Sequence, residues 1–182
     1  MNEKPVSPVS LLVQVSRLPK KGMAVEVGAD AAQREALARE HGLRGVERFK
    51  ADLDVVGWKK GGVRVTGRVR ADIVQSCIVT LEPVAERIDE DVAALFLPEG
   101  SPLAVPRTGA DGEIVLEPEG EDGPELFTGD TIDVGQLAEE FFALGINPYP
   151  RKAGVQLDVA VADEDEKRGP LYEKLQSLKK KL

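Results

Sequence analysis

The sequence predicts an α+β fold: a mainly antiparallel, strongly curved, barrel-like β-sheet with two principal helices and a long acidic loop. Three observations predict it. Apolar and polar residues alternate over long stretches, which is the period of a half-buried strand. Aromatic residues are only 4% of a chain that is 42% hydrophobic, so the core must be built from Val, Leu, Ile and Ala, which suits sheet packing better than an aromatic-lined pocket. Two segments carry helix-start signals of their own. At 182 residues the chain supports one core and a tail. We divide it into a single domain over 1–161, with a mobile Pro/Gly-rich acidic loop at 98–124, and a charged C-terminal tail over 162–182.

The elements follow in order. Val9, Leu11, Val13 and Val15 alternate as a strand that Pro19 to Gly22 ends, and Met23 to Val27 is a second, short strand. Asp30 with Gln33 three residues on forms a capping box for a helix that runs to about His41, with Gly42 as its left-handed terminator. Phe49, Ala51, Leu53 and Val55, then Val63, Val65, Gly67, Val69, Ala71 and Ile73, read as a long antiparallel hairpin whose tip is Gly57 to Gly62. Ile73 to Leu81 extends that strand around a bulge or forms the next one, and Pro83 stops it. Ile88 to Leu97 is a strand or a short helix, which the period alone does not separate.

After the acidic excursion, order returns at Leu126. Asp133 is the N-cap of a second helix with Gln136 at its third position and Ile132 stapled onto Leu137; it buries Val134, Leu137, Ala138, Phe141 and Leu144, and Gly145 ends it. Asn147-Pro148-Tyr149-Pro150 is an extended turn. Val155, Leu157, Val159 and Val161 make a last strand, and Leu171, Leu175, Leu178 and Leu182 line a short helix in the tail.

The charge is segregated. The net charge of -8 argues against nucleic-acid binding, but residues 108–150 contain eleven acids and no Lys or Arg, while 44–70 contain eight bases against Glu47, Asp52 and Asp54. Residues 167–182 hold six bases against Glu173. The single cysteine fits a reducing compartment, Met1 to Pro5 opens no secretory signal, and no apolar run approaches the roughly 20 residues of a membrane span. The expected location is cytoplasmic, with no membrane partner.

Catalytic chemistry finds little support. His41, the one histidine, lies at a predicted helix C-terminus, where it answers the dipole. Cys77 reads as a buried small hydrophobe in an apolar stretch. Zinc ligation needs more Cys and His than one of each. Asp130 with Asp133, or Glu139 with Glu140, could be imagined as an acid pair or magnesium site, but a cap and a solvated helix face account for them better. Gly57 to Gly62 lacks phosphate-loop spacing. We therefore expect no enzyme, no cofactor, no metal and no small-molecule substrate.

One constellation has positive content. Arg64, Arg68 and Arg70 on the polar face of the hairpin, with Trp58, Lys59 and Lys60 at its tip, form a candidate RNA contact: arginines clamp phosphate and an indole stacks on an unpaired base. Against it, Asp52 and Asp54 share the face of the preceding strand and can neutralise the patch.

Gln75-Ser76-Cys77-Ile78-Val79-Thr80-Leu81-Glu82-Pro83, then Gly129-Asp130-Thr131-Ile132-Asp133-Val134-Gly135, then Asn147-Pro148-Tyr149-Pro150-Arg151, together resemble the YceD family, the large ribosomal RNA subunit accumulation proteins, in a form similar to that of alphaproteobacteria. The resemblance covers roughly residues 8 to 160. It implies a role in accumulation of 23S ribosomal RNA and large-subunit assembly, with motif residues Cys77, Pro83, Gly129, Asp130, Asp133, Pro148, Tyr149, Pro150 and Arg151 and no catalytic residues. Where many members have Cys-x-x-Cys, this chain has Thr80 in the second position, so a zinc or disulfide role is closed to it. The expected partners are 23S ribosomal RNA or its precursor, met by the basic hairpin, and a basic large-subunit ribosomal protein, met by the acidic stretch. A protein-only adaptor or chaperone is the alternative, and a carboxylate and divalent-metal RNA hydrolase a more distant one.

Overall fold

The structure, a computed structural model, describes residues 6–103 and 123–155. Residues 1–152 form one compact unit and 153–182 another, and every element named below belongs to the first. Most of the 98–124 excursion, the strand expected over 155–161 apart from its first residue, and the helix expected in the tail lie outside the described residues.

Strand β1 (Leu12–Gln14) is followed by β2 (Met23–Gly28), helix α1 (Ala31–Glu40), the long strands β3 (Gly45–Gly57), β4 (Val63–Ser76) and β5 (Pro83–Pro98), the short strands β6 (Glu125–Phe127) and β7 (Thr131–Asp133), and helix α2 (Val134–Leu144). One sheet has the order β2-β3-β4-β5-β6, and β1 pairs separately with β7. The class is α+β, as the sequence predicts. The barrel-like closure and strong curvature are not found, and the sheet is mixed rather than mainly antiparallel, because β6 joins β5 in parallel. A barrel buries its apolar face by closing on itself; here α1 packs on β3, and α2 on β4 and β5, so the sheet stays open with β2 and β6 at its edges.

The core is the apolar face of the hairpin and its neighbours: Phe49, Leu53, Val55, Val65, Val69, Ile73, Ile88 and Val92 are at most 3% exposed. Phe142 of α2 is wholly buried and meets both Phe49 and His41 edge to face, with ring centroids 5.5 and 5.3 Å away. Strands β3 and β4 approach closely at Gly67, whose φ is +156°. A Cβ there would lie 2.1 Å from the Asp52 carbonyl oxygen, so only glycine fits.

Several local expectations are corrected. The first strand is only Leu12–Gln14, and Val15–Arg17 forms a 3-10 turn. Pro83 does not end a strand but opens β5, at the first position, where the missing N–H breaks no ladder. Ile88 to Leu97 is strand throughout, since β5 pairs with β4 along fourteen positions. The buried stripe of α2 runs through Val134, Gly135, Leu137, Ala138, Glu139 and Phe142, leaving Phe141 half-buried and Leu144 77% exposed. The rotation comes from Gly135: its Cα presses on the chain at Val9 and Leu11, where a Cβ would come within 1.9 Å of the Val9 carbonyl oxygen.

Candidate nucleic-acid interface

The polar face of the hairpin is set by register. Across β3 and β4, Lys50 stands opposite Arg70, Asp52 opposite Arg68 and Val56 opposite Arg64; across β4 and β5, Arg70 stands opposite Asp89, Arg68 opposite Asp91 and Arg64 opposite Leu95. The consequence is a ladder of ion pairs over the middle of the sheet. Arg68 Nη2 lies 2.6 Å from Asp91 and its Nε 3.5 Å from Asp89; Arg70 lies 3.3 Å from Asp52 and 3.6 Å from Asp89. Lys50 joins Glu26 and Asp52, each at 2.9 Å, and Asp72 joins Arg48 and Arg87. The hydrogen bond to Asp91 raises the already high pKa of Arg68 further. Arg68 and Arg70 thus have their charge matched within the sheet. Asp52 neutralises Arg70 as the sequence allows, Asp54 faces Thr66 instead, and Asp89 and Asp91 of β5 supply the rest.

The tip differs. Trp58 is half-buried and accompanied by Lys59, whose Nζ sits 5.7 Å from the ring centroid, a cation–π contact. Lys59 and Lys60 are exposed in a 3-10 turn closed by hydrogen bonds from Trp58 N to Gly62 O and from Gly62 N to Lys59 O. Lys60 adopts φ +56°. Arg64 is exposed beside Val56 and Leu95. The Lys20–Gly22 turn lies against the same end, since a Cβ on Gly22 would touch Val56. Among the described residues, Lys20, Lys21, Lys59, Lys60 and Arg64 have no carboxylate within ion-pair distance. Lys20 and Lys21 are missed by sequence reasoning, because only the pairing of Met23 with Val55 brings their turn to the tip.

At the other end of β4 two of the motif segments meet. Cys77 is fully buried in the β4–β5 turn, where its N–H donates to Glu82 O at 2.8 Å and its carbonyl accepts from Leu81 N at 2.9 Å. The Asn147–Lys152 segment closes over this turn: Ile78 N donates to Pro150 O, Gln75 Nε2 to Asn147 O, Lys152 N to Cys77 Sγ at 3.5 Å, and Lys152 Nζ lies 3.1 Å from Glu82. The Thr80 hydroxyl, then the backbone N–H groups of Lys152, Thr80 and Val79, bring the Cys77 thiol down to about 6 against the opposing effect of burial. Pro148 lies in the turn; Tyr149 is 69% exposed, its N–H held by Asn147 Oδ1, and Arg151 is exposed.

The third motif segment is elsewhere. Gly129 takes φ +75° in the turn before β7; Asp130 accepts from the N–H and hydroxyl of Ser16, which lower its pKa, and Asp133 caps α2 through Gly135 N and Gln136 N while holding Ser10 and Leu11 N of the first strand region. His41 caps α1 as expected, but its Nε2 also lies 2.9 Å from Glu139, a buried partner no local pattern announces. Among the described residues no group of three or more His, Cys, Asp or Glu side chains is placed to hold a metal ion, and no helix is long and apolar enough to cross a membrane.

The fold and these surfaces define an open-sheet α+β protein whose two contrasting surfaces lie at opposite ends of one strand. The family model described as large ribosomal RNA subunit accumulation protein YceD matches residues 65–179, and the chain belongs to that family. The family's description carries a role in accumulation of the large-subunit ribosomal RNA. The match takes in Cys77 and all the other motif residues, and begins just beyond Arg64, so the hairpin tip falls outside it. No curated protein and no solved structure matches the chain significantly.

Proposed function

We propose that this chain is a non-enzymatic cytoplasmic factor that supports 23S ribosomal RNA accumulation and large-subunit assembly by binding RNA through the β3–β4 tip. One observation carries the reading: among the described residues Lys20, Lys21, Lys59, Lys60 and Arg64, at the same end of the hairpin as Trp58, have no carboxylate within ion-pair distance, whereas Arg68 and Arg70 of the mid-sheet are matched. Unmatched cations release counterions when they meet phosphate, and a half-exposed indole offers a stacking surface for an unpaired base. Arg68 and Arg70, tied to Asp52, Asp89 and Asp91, contribute less. A contact between the acidic stretch and a basic ribosomal protein is a second element of the reading, supported by the charge segregation; within it Asp130, Asp133 and Glu139 are already engaged internally.

The test is binding of the full chain to a labelled 23S transcript across a salt series. Changing Lys59, Lys60 and Arg64 together to Glu is expected to weaken binding at least about tenfold at low salt and to flatten the salt dependence. Unchanged affinity at every salt concentration would hand the function to the protein-only adaptor. Shortened RNA products after incubation with magnesium would instead favour the hydrolase.

A further inference from the structure

We propose a second phosphate-binding site, formed by Arg34, Arg39 and Arg44 at the far end of β3 from the tip. These arginines line an open cleft of about 460 Å³ between α1 and the start of β3, together with Ala31, Glu35, Ala38 and Leu43. Glu35 is the one carboxylate in that lining, so the cleft carries an excess of positive charge. Among the described residues none of the three guanidinium groups has a carboxylate within ion-pair distance, Glu35 included.

The site is built on fixed elements. The reciprocal bonds between Asp30 and Gln33 hold the first turn of α1, and Arg34 Nη1 donates to Ala29 O at 2.8 Å, which orients its guanidinium and leaves its other N–H groups free. Gly42, with φ +64°, turns the chain so that Leu43 N reaches Ala38 O, and Arg44 N then bonds Val74 O at 2.8 Å. Arg44 is thereby anchored to β4 through its backbone while its side chain stays exposed. The helix dipole explains only one of the three: Arg39 in the last turn of α1 offsets it, but Arg34 near its start and Arg44 beyond its end do not. Guanidinium forks without carboxylates suit the paired oxygens of a phosphodiester.

The ligand is the phosphate backbone of RNA, an assignment that rests on the function proposed above. From Val46 to Gly57, β3 spans about 36 Å at 3.3 Å per residue, so cleft and tip would grip one RNA at separated points, and the second contact would be intramolecular once the first is made.

The experiment uses the full chain, a labelled 23S transcript and poly-L-glutamate as a competing polyanion. The variants are the pair Arg39→Glu and Arg44→Glu, the pair Lys59→Glu and Lys60→Glu, and all four together. The cleft pair is expected to lower RNA affinity about tenfold and reduce the salt slope by about 1.4, the value for two lost single-strand phosphate contacts. RNA binding by the cleft pair equal to wild type, with the tip pair impaired, overturns the inference and leaves the tip reading standing. Loss in the cleft pair alone keeps the inference and overturns the tip reading. A cleft pair that loses poly-L-glutamate binding but keeps RNA assigns the cleft to an acidic protein and overturns the inference. If charge reversal unfolds the chain, judged by circular dichroism, the pair Arg39→Gln and Arg44→Gln must show the same reduced slope, or the inference falls.

Discussion

The two ends of β4 are both tight turns, and each holds a non-glycine residue at positive φ: Lys60 at one, Leu81 at the other. They differ in what satisfies them. At the Cys77 end a distant segment closes the turn, so the backbone of Ile78, the sulfur of Cys77 and the charge of Glu82 all find partners in Pro150 and Lys152. At the Lys60 end the backbone closes on itself through Trp58 and Gly62, and no carboxylate among the described residues pairs with the charges. Side chains matched inside the fold contribute to stability; side chains left unmatched at a rigid tip are available to a partner. The ion-pair ladder between the ends makes the same point, for Arg64, Arg68 and Arg70 share one strand and one face, and only the opposing residue decides which of them is spent internally.

The largest effect should come from breaking what joins the two ends. Gly67→Ala drives a Cβ into the β3 backbone and is expected to cost about 3 kcal/mol, read by chemical denaturation; a loss within the noise of that measurement would mean the strands are not so closely apposed.

Next is the Cys77 end. The folded thiol titrates near 6, below its ordinary value of 9.0, so between these pH values the folded state binds fewer protons than the unfolded one. Stability relative to Cys77→Ser should therefore rise as pH climbs from about 6 to 9, and the advantage should disappear as pH falls through about 6. Thermal midpoints of both proteins across this range test it, with thiolate ultraviolet absorbance as a direct reading; absorbance that emerges only near 9 would show that the turn does not favour the thiolate. RNA binding by the variant should be that of wild type.

A smaller effect separates the two positive-φ residues. Lys60→Gly and Leu81→Gly each relieve a left-handed conformation, so each should be neutral or stabilising by up to about 1 kcal/mol. Only Lys60→Gly should weaken binding to the 23S transcript. Equal losses of affinity would erase the distinction between the ends. The smallest change is expected from Arg68→Ala, an exposed ion-pair member: less than about 1 kcal/mol in stability and little change in salt slope.

Much of the fold is legible because its signals are local. The Asp30–Gln33 box, the Asp133 cap, the left-handed Gly42 and the alternation of β3 and β4 depend on residues within one turn of helix or on a period of two. The stripe of α2 is less legible, since the contact of Gly135 with the Val9–Leu11 backbone rotates the helix away from the face that hydrophobicity alone selects. The neutralisation of Arg68 is illegible for a related reason: Asp89 and Asp91 matter only once β5 is a strand in one particular register, and its apolar pattern suits a helix as well.

By itself, the sequence determined the α+β class, both helices with their caps, the hairpin and its basic polar face, and the resemblance to the family, because each is written in neighbouring residues or in a short motif. The tertiary structure alone decided that the sheet stays open, that Arg68 and Arg70 are matched while Lys59, Lys60 and Arg64 meet no carboxylate among the described residues, and that Cys77 lies under Lys152. Those outcomes depend on which residues far apart in the chain come to stand opposite one another, and pairing across strands follows from register and packing, which no local period encodes.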